Sequence, residues 1–257
     1  MTRNVLGIVA GAIAFASVAS GAQAQEITIT ADQWCPYNCE PGSDAPGYVV
    51  EIAERIYEAE GYTINYTNMP WSRALSAGAA GEVHGVIAVS FQPETEEMVL
   101  PDEPLTVYEI HAVTRADDTW TYEGIASLEG KTPAVIFGYN YGDEFTEWQE
   151  QNEDKLVVNR GDGALEQNFR MVQRGRADFA IDGLNVLRYS LNEAGLTDDF
   201  RFAGVIGEAV PLYLGFSKKA GDAEKLAQMW TDGVQEMRAN GELTAILDKY
   251  GVGDWQR

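Results

Sequence analysis

Positive charge is scarce in this 257-residue sequence: 18 Lys and Arg stand against 40 Asp and Glu, a formal charge of -22. The negative field would repel a phosphate backbone and no long basic run opposes it locally, so nucleic acid is excluded as a partner. A surface this acidic fits solubility in a salty exterior or attraction of a cationic ligand. Histidine is scarcer still. His84 and His111 stand without Cys or His neighbours, and no metal site is expected; His84 reads as a turn or surface histidine. Gly-x-Ser-x-Gly, His-Glu-x-x-His and any cysteine close to a histidine are missing too. No catalytic residue and no cofactor is assigned, and a secreted enzyme would have to assemble its Ser/His/Asp or paired carboxylates from distant positions.

Long apolar runs are lacking beyond the N-terminus. Arg3 opens the chain, residues 5–18 are almost wholly apolar, and Gly21-Ala22-Gln23-Ala24 supplies small residues, which together read as a cleaved export signal over 1–24. Cysteine is limited to Cys35 and Cys39, in Trp34-Cys35-Pro36-Tyr37-Asn38-Cys39. Their three-residue spacing is not that of a thioredoxin-like site, and no second pair completes a zinc site. In an exported chain this favours a small disulfide that braces a loop.

What is present is an alternating α/β pattern. A strand at 26–31, a helix at 48–60 stopped by Gly61, and a strand at 62–67 imply a βαβ unit with parallel strands. Residues 69–104 read as one wall of a ligand site. Trp71 and Arg73 open a helix at 71–80, a strand follows at 83–89 with Ser90 and Phe91 at its tip, and the loop 101–104 offers polar groups nearby. A strand at 105–110 leads to His111 as a crossing point, and the polar run 114–119 reads as exposed.

A second α/β pattern begins beyond it. The apolar run 133–137 opens into Gly138-Tyr139-Asn140-Tyr141-Gly142, a glycine-bracketed turn before a helix at 144–151 where free N–H groups can meet a carboxylate. A strand at 156–158, a helix at 164–174 and a buried strand tipped by Asp182 follow. Helix then Gly-Glu-Val-His-Gly-Val-Ile-Ala-Val in the first half matches helix then Gly-Arg-Ala-Asp-Phe-Ala-Ile-Asp in the second, as though one device were built twice. A helix at 185–193, strands at 202–206 and 210–216, and helices at 223–239 and 243–250 complete the chain.

These residues carry a resemblance. Trp34 with Pro36-Tyr37, Gly47, Pro70-Trp71-Ser72-Arg73-Ala74-Leu75, Pro101-Asp102-Glu103-Pro104, Leu128-Glu129-Gly130-Lys131, Gly175-Arg176-Ala177-Asp178 and Asn240-Gly241-Glu242-Leu243 resemble, in order and spacing, the periplasmic solute-binding proteins of amino-acid ABC importers, solute-binding family 3. The resemblance implies a type II two-lobed α/β fold whose lobes, 25–111 with 209–257 and 112–208, are joined by two crossings. It also implies a monomeric periplasmic receptor that closes over a small polar ligand and delivers it to an ABC permease. A sensor subunit of a membrane receptor is the competing use of the same fold.

In that family an arginine of the first lobe holds the ligand's carboxylate. The matching run here is Gln92-Pro93-Glu94-Thr95, so Thr95 stands at that place and Arg73 is the expected substitute. The family's acidic partner for an amino group falls on Asp182. The ligand-facing set is therefore Trp34, Tyr37, Trp71, Arg73, Ser90, Phe91, Tyr139, Tyr141 and Asp182. Without the arginine the ligand field widens to amines, polyamines, modified amino acids and small organic acids.

Overall fold

The computed structural model describes residues 25–91, 93–161 and 163–256; the expected export signal at 1–24 lies outside them. Strand β1 (Gln25–Ala31) buries Ile27, Ile29 and Ala31 on one face, as its alternation requires. Helix α1 (Tyr48–Ala59) turns Val49, Ile52, Ala53 and Ile56 inward at helical spacing, and Gly61, with φ 84°, ends it. With β2 (Tyr62–Asn68), α2 (Trp71–Ala80) and β3 (Gly85–Val89) they form a βαβαβ unit in which β1 runs parallel to both neighbours. His84, just before β3, accepts the Thr28 N–H at its Nδ1, 3.0 Å away, and so helps to hold β3 beside β1.

The second half repeats the unit. Strands β6 (Pro133–Ile136), β7 (Val157–Asn159) and β8 (Phe179–Gly183) alternate with α3 (Asp143–Gln151) and α4 (Ala164–Gln173), and β6 runs parallel to both β7 and β8. Between the halves lie two long antiparallel strands, β5 (Thr106–Arg115) and β9 (Phe200–Ser217), paired from Thr106 opposite Leu212 to Arg115 opposite Phe200. With β4 (Met98–Val99) also on β9, the sheet order is β2-β1-β3-β9-β5-β8-β6-β7. Each half thus flanks the central pair as the counterpart of the other. A helix α5 (Leu184–Glu193) covers the second half, while α6 (Ala223–Asn240) and α7 (Glu242–Lys249) pack on α1 of the first.

Two sequence expectations change along the crossing strands. The strands expected at 202–206 and 210–216 are one strand, β9. Gly207, Glu208 and Ala209 break the apolar pattern, but pairing to β5 resumes on either side, and the extra residues form an irregularity facing Glu109. The lobe limits drawn at 111/112 and 208/209 fall inside β5 and β9, the two strands that cross between the halves. Thr114, expected in an exposed run, is buried and donates its hydroxyl to the Asp178 carbonyl at 2.8 Å.

The loop 101–104, expected at the ligand wall, turns the other way. Glu103 is buried, and its Oε1 accepts hydrogen bonds from Arg238 at 2.8 Å, Trp255 Nε1 at 3.0 Å and Gln256 at 3.1 Å. Arg238 in turn pairs with Asp254 at 2.9 Å. A buried carboxylate needs a cation and donors, and α6 with the C-terminal segment supplies them.

Candidate functional site

In open α/β sheets the C-terminal ends of parallel strands meet the ligand crevice. Here β1 leads into Asp32, β3 into Ser90 and Phe91, β6 into Phe137 and Gly138, and β7 into Arg160, while β8 carries Asp182 near its end. All line one cleft between the halves, which holds adjoining cavities of about 830 Å³ and about 680 Å³. Asp32, Trp34, Trp71, Ser72, Gly138 and Tyr139 wall both. The larger reaches the irregular stretch of β9 at Ile206 to Leu212; the smaller reaches Arg160, Asp182 and α5. Volumes of this size suit small molecules.

Hydrogen bonds join the residues that follow β1 to the second half. Trp34 Nε1 donates to Asp182 Oδ1 at 3.1 Å, and the Tyr139 hydroxyl donates to Asp32 Oδ2 at 2.6 Å. Burial, and then Asp32 beside it, hold the Tyr139 phenol well above its ordinary pKa, so it acts as a donor. The bracing disulfide expected in the loop after β1 is present, joining Cys35 to Cys39 beside Trp34.

Asp182 is the most constrained group in the cleft. It is fully buried; Oδ1 accepts from the Gly183 N–H at 2.7 Å, from Trp34, and at 3.4 Å from Tyr108. Oδ2 is buried and has no hydrogen-bond partner among the described residues. Burial pushes the carboxyl up to about 7, and the donors on Oδ1 pull the other way. Gly183 makes the arrangement possible, because a Cβ there would fall 2.1 Å from the Tyr108 ring. A buried carboxylate with one open oxygen is a ready acceptor for an ammonium group.

Trp34, Trp71 and Tyr139 line both cavities, Ser90 and Phe91 the larger, and Asp182 the smaller. The other expected residues lie elsewhere. Tyr37 is buried behind Trp34, their rings stacked 4.5 Å apart, and Tyr141 is buried with its hydroxyl accepting the Ile136 N–H at 2.8 Å. Arg73 is exposed, lines neither cavity, and makes no side-chain bond. On α2 the cleft receives Trp71, Ser72 and Leu75 and the core receives Ala74, Ala77 and Gly78, which leaves position 73 facing outward. Thr95 is buried, with its hydroxyl donated to the Ser90 carbonyl at 2.7 Å.

Sequence reasoning missed Asp32, Tyr108 and Arg160. Among the described residues lining the two cavities, Arg160 is the only Lys or Arg, against Asp32, Asp143, Glu166, Asp182, Glu193 and Glu208. Its guanidinium lies 3.5 Å from the centre of the Phe137 ring. Among the described residues no group of three His, Cys, Asp or Glu side chains is gathered to hold a metal ion.

Two βαβαβ halves joined by two crossing strands, with a polar cleft at the facing strand tips, define a two-lobed solute-binding protein of the periplasmic type. The chain belongs to the bacterial extracellular solute-binding proteins, family 3, which it matches over residues 27–253. No curated protein matches it. Among solved structures, one from the glutathione import system of GshT and the cystine ABC importer TcyBC of Streptococcus mutans has a TM-score of 0.75 at 18% identity, covering 91% of this chain and 99% of that one. A histidine kinase sensor domain similar to periplasmic binding proteins has a TM-score of 0.71 at 22% identity, covering 88% and 96%. A mutant of ArgBP from T. maritima has a TM-score of 0.70 at 17% identity, covering 88% and 94%. At these identities the likeness is one of fold.

Proposed function

We propose that the protein is a periplasmic, non-enzymatic receptor that captures a small amine-bearing solute between its lobes and delivers it to an ABC permease of the inner membrane. The observation that carries this reading is the unpartnered Oδ2 of buried Asp182, a residue that lines a cleft in which, among the described residues, carboxylates outnumber the single arginine. An ammonium there satisfies the orphaned oxygen, and Trp34 and Trp71 offer aromatic faces to the rest of a cation. Ligand contacts from both lobes are complete only when the cleft is shut, so binding shifts the population toward the closed form. The related folds support the same kind of solute, since one comes from glutathione and cystine import and another is an arginine-binding protein.

A thermal-shift screen of amines, polyamines and amino acids, followed by calorimetry on the hits, tests the reading. The expected result is a hit among the amine-bearing compounds whose affinity falls by more than about tenfold in Asp182→Asn. Hits confined to uncharged or purely anionic compounds, or an unchanged affinity in the variant, would remove it. The likeness to a histidine kinase sensor domain favours a second reading, in which closure is read by a membrane receptor instead of a permease. A receptor or kinase gene beside this one, in place of permease and ATPase genes, would select it.

A further inference from the structure

We propose that Arg160 is the anion anchor of the ligand, so that the solute held at Asp182 also carries a carboxylate and is gripped at both charged ends by the second lobe. The inference rests on the amine reading above and assigns the other end of the same molecule.

Arg160 follows the last residue of β7 and lines the same cavity as Asp182. Strands β7 and β8 lie on either side of β6, so the two residues start two strand spacings apart, about 10 Å. The guanidinium closes part of that gap. It lies 3.5 Å from the centre of the ring of Phe137, the first residue beyond β6, the strand that stands between β7 and β8. Stacking occupies the flat face of the group and leaves its N–H edge free for a planar, two-point acceptor such as a carboxylate.

Its lack of a partner is informative in a chain with 40 acidic side chains. Among the described residues Arg160 forms no salt bridge and donates no hydrogen bond, although Glu166 and Glu193 line the same cavity. Other anchors are removed by their placement. Arg73 lies outside the cleft, Thr95 is committed to Ser90, and among the described residues no lysine lines either cavity. The N-terminus of α4 opens onto the cavity, but the Glu166 carboxylate already folds toward Gly163 there. One unpaired cation and one buried, half-paired carboxylate in a single cavity are complementary to a molecule carrying both signs.

Calorimetry on the full chain with matched pairs differing only in the carboxylate reads this directly: arginine and agmatine, lysine and cadaverine, ornithine and putrescine. In the wild type the carboxylate-bearing member of at least one pair is expected to bind about tenfold tighter or more than its partner. Arg160→Ala should bring that ratio near one while leaving the decarboxylated member within about twofold of wild type, and Arg160→Lys should restore only part of the ratio. Asp182→Asn should weaken both members together. Binding of the decarboxylated members equally well or better in the wild type overturns the inference and leaves the amine reading standing, as does an Arg160→Ala loss shared equally within a pair. Binding of no member of any pair removes both. Circular dichroism and melting of Arg160→Ala separate loss of the anchor from loss of the fold.

Discussion

Glu103 in the first lobe and Asp182 in the second are both buried carboxylates, 3% and 0% exposed, yet their surroundings differ in kind. Glu103 meets a guanidinium, an indole N–H and an amide, and both of its oxygens are engaged: Oε1 by all three and Oε2 by Gln256 at 2.9 Å. Asp182 meets no cation, gathers every donor on Oδ1, and keeps Oδ2 empty. An unpaired buried polar atom costs on the order of 1–3 kcal/mol. The difference teaches that burial alone does not mark a functional acid. A fully partnered one fastens the C-terminal segment to the first lobe, whereas a half-partnered one holds binding capacity in reserve at the expense of stability.

The largest effect should come from the satisfied member. Glu103→Ala strips Arg238, Trp255 and Gln256 of their shared acceptor and leaves a mostly buried guanidinium with Asp254 alone. Urea unfolding is expected to show a loss of about 3 kcal/mol, with ligand affinity unchanged once the folded fraction is accounted for. A stable variant that has lost affinity would reverse the roles assigned to the two carboxylates.

A pH-dependent effect belongs to Asp182. Its folded pKa is raised to about 7, above the ordinary range of an unfolded aspartate, so between the two values the folded state holds the proton and the unfolded state does not. The contribution of this group to stability is therefore present at low pH and lost as pH rises from about pH 4 to about pH 7. Measured by unfolding at several pH values, the stability of Asp182→Asn relative to wild type should climb through that window and level off above it. Amine binding should strengthen over the same window, since the ammonium requires the ionised carboxylate. A difference that does not vary with pH would show that Asp182 is partnered as fully as Glu103.

The order of elements was legible in the sequence because periodicity reports burial: α1, α2 and the short buried strands follow it closely. The single long β9 was not, because Gly207 and Glu208 look like a loop and only the distant partner β5 reveals continuity. Within the site, residue type identified Trp34, Trp71 and Asp182 through the family pattern, but it could not tell which aromatic of a turn faces inward. Tyr37 and Tyr141 fill the core behind Trp34 and Tyr139. Asp32 and Arg160 had a usable signal. Each is the first residue beyond a parallel strand, the place from which Ser90 and Phe137 also enter the cleft, and applying that rule to every strand end would have found all four.

Arg73 extends the comparison to a charge that is neither buried nor partnered. The sequence offers it as the substitute for the missing arginine, two residues from Trp71 in a run that carries the resemblance to the family. On the helix, however, it shares the outward face with Ser76, which is also exposed, while Ala74 and Ala77 point into the small cluster under α2. Arg73→Ala removes one exposed cation and no hydrogen bond, so stability should change by no more than about 0.5 kcal/mol. Affinity for the carboxylate-bearing member of each ligand pair should stay within about twofold, where Arg160→Ala loses the preference altogether. A selective loss of the carboxylate-bearing ligands in Arg73→Ala would mean that α2 rotates on closure to bring position 73 into the cleft. The anion anchor would then lie on the first lobe, opposite Asp182, and the two charged ends of the solute would themselves tie the lobes together.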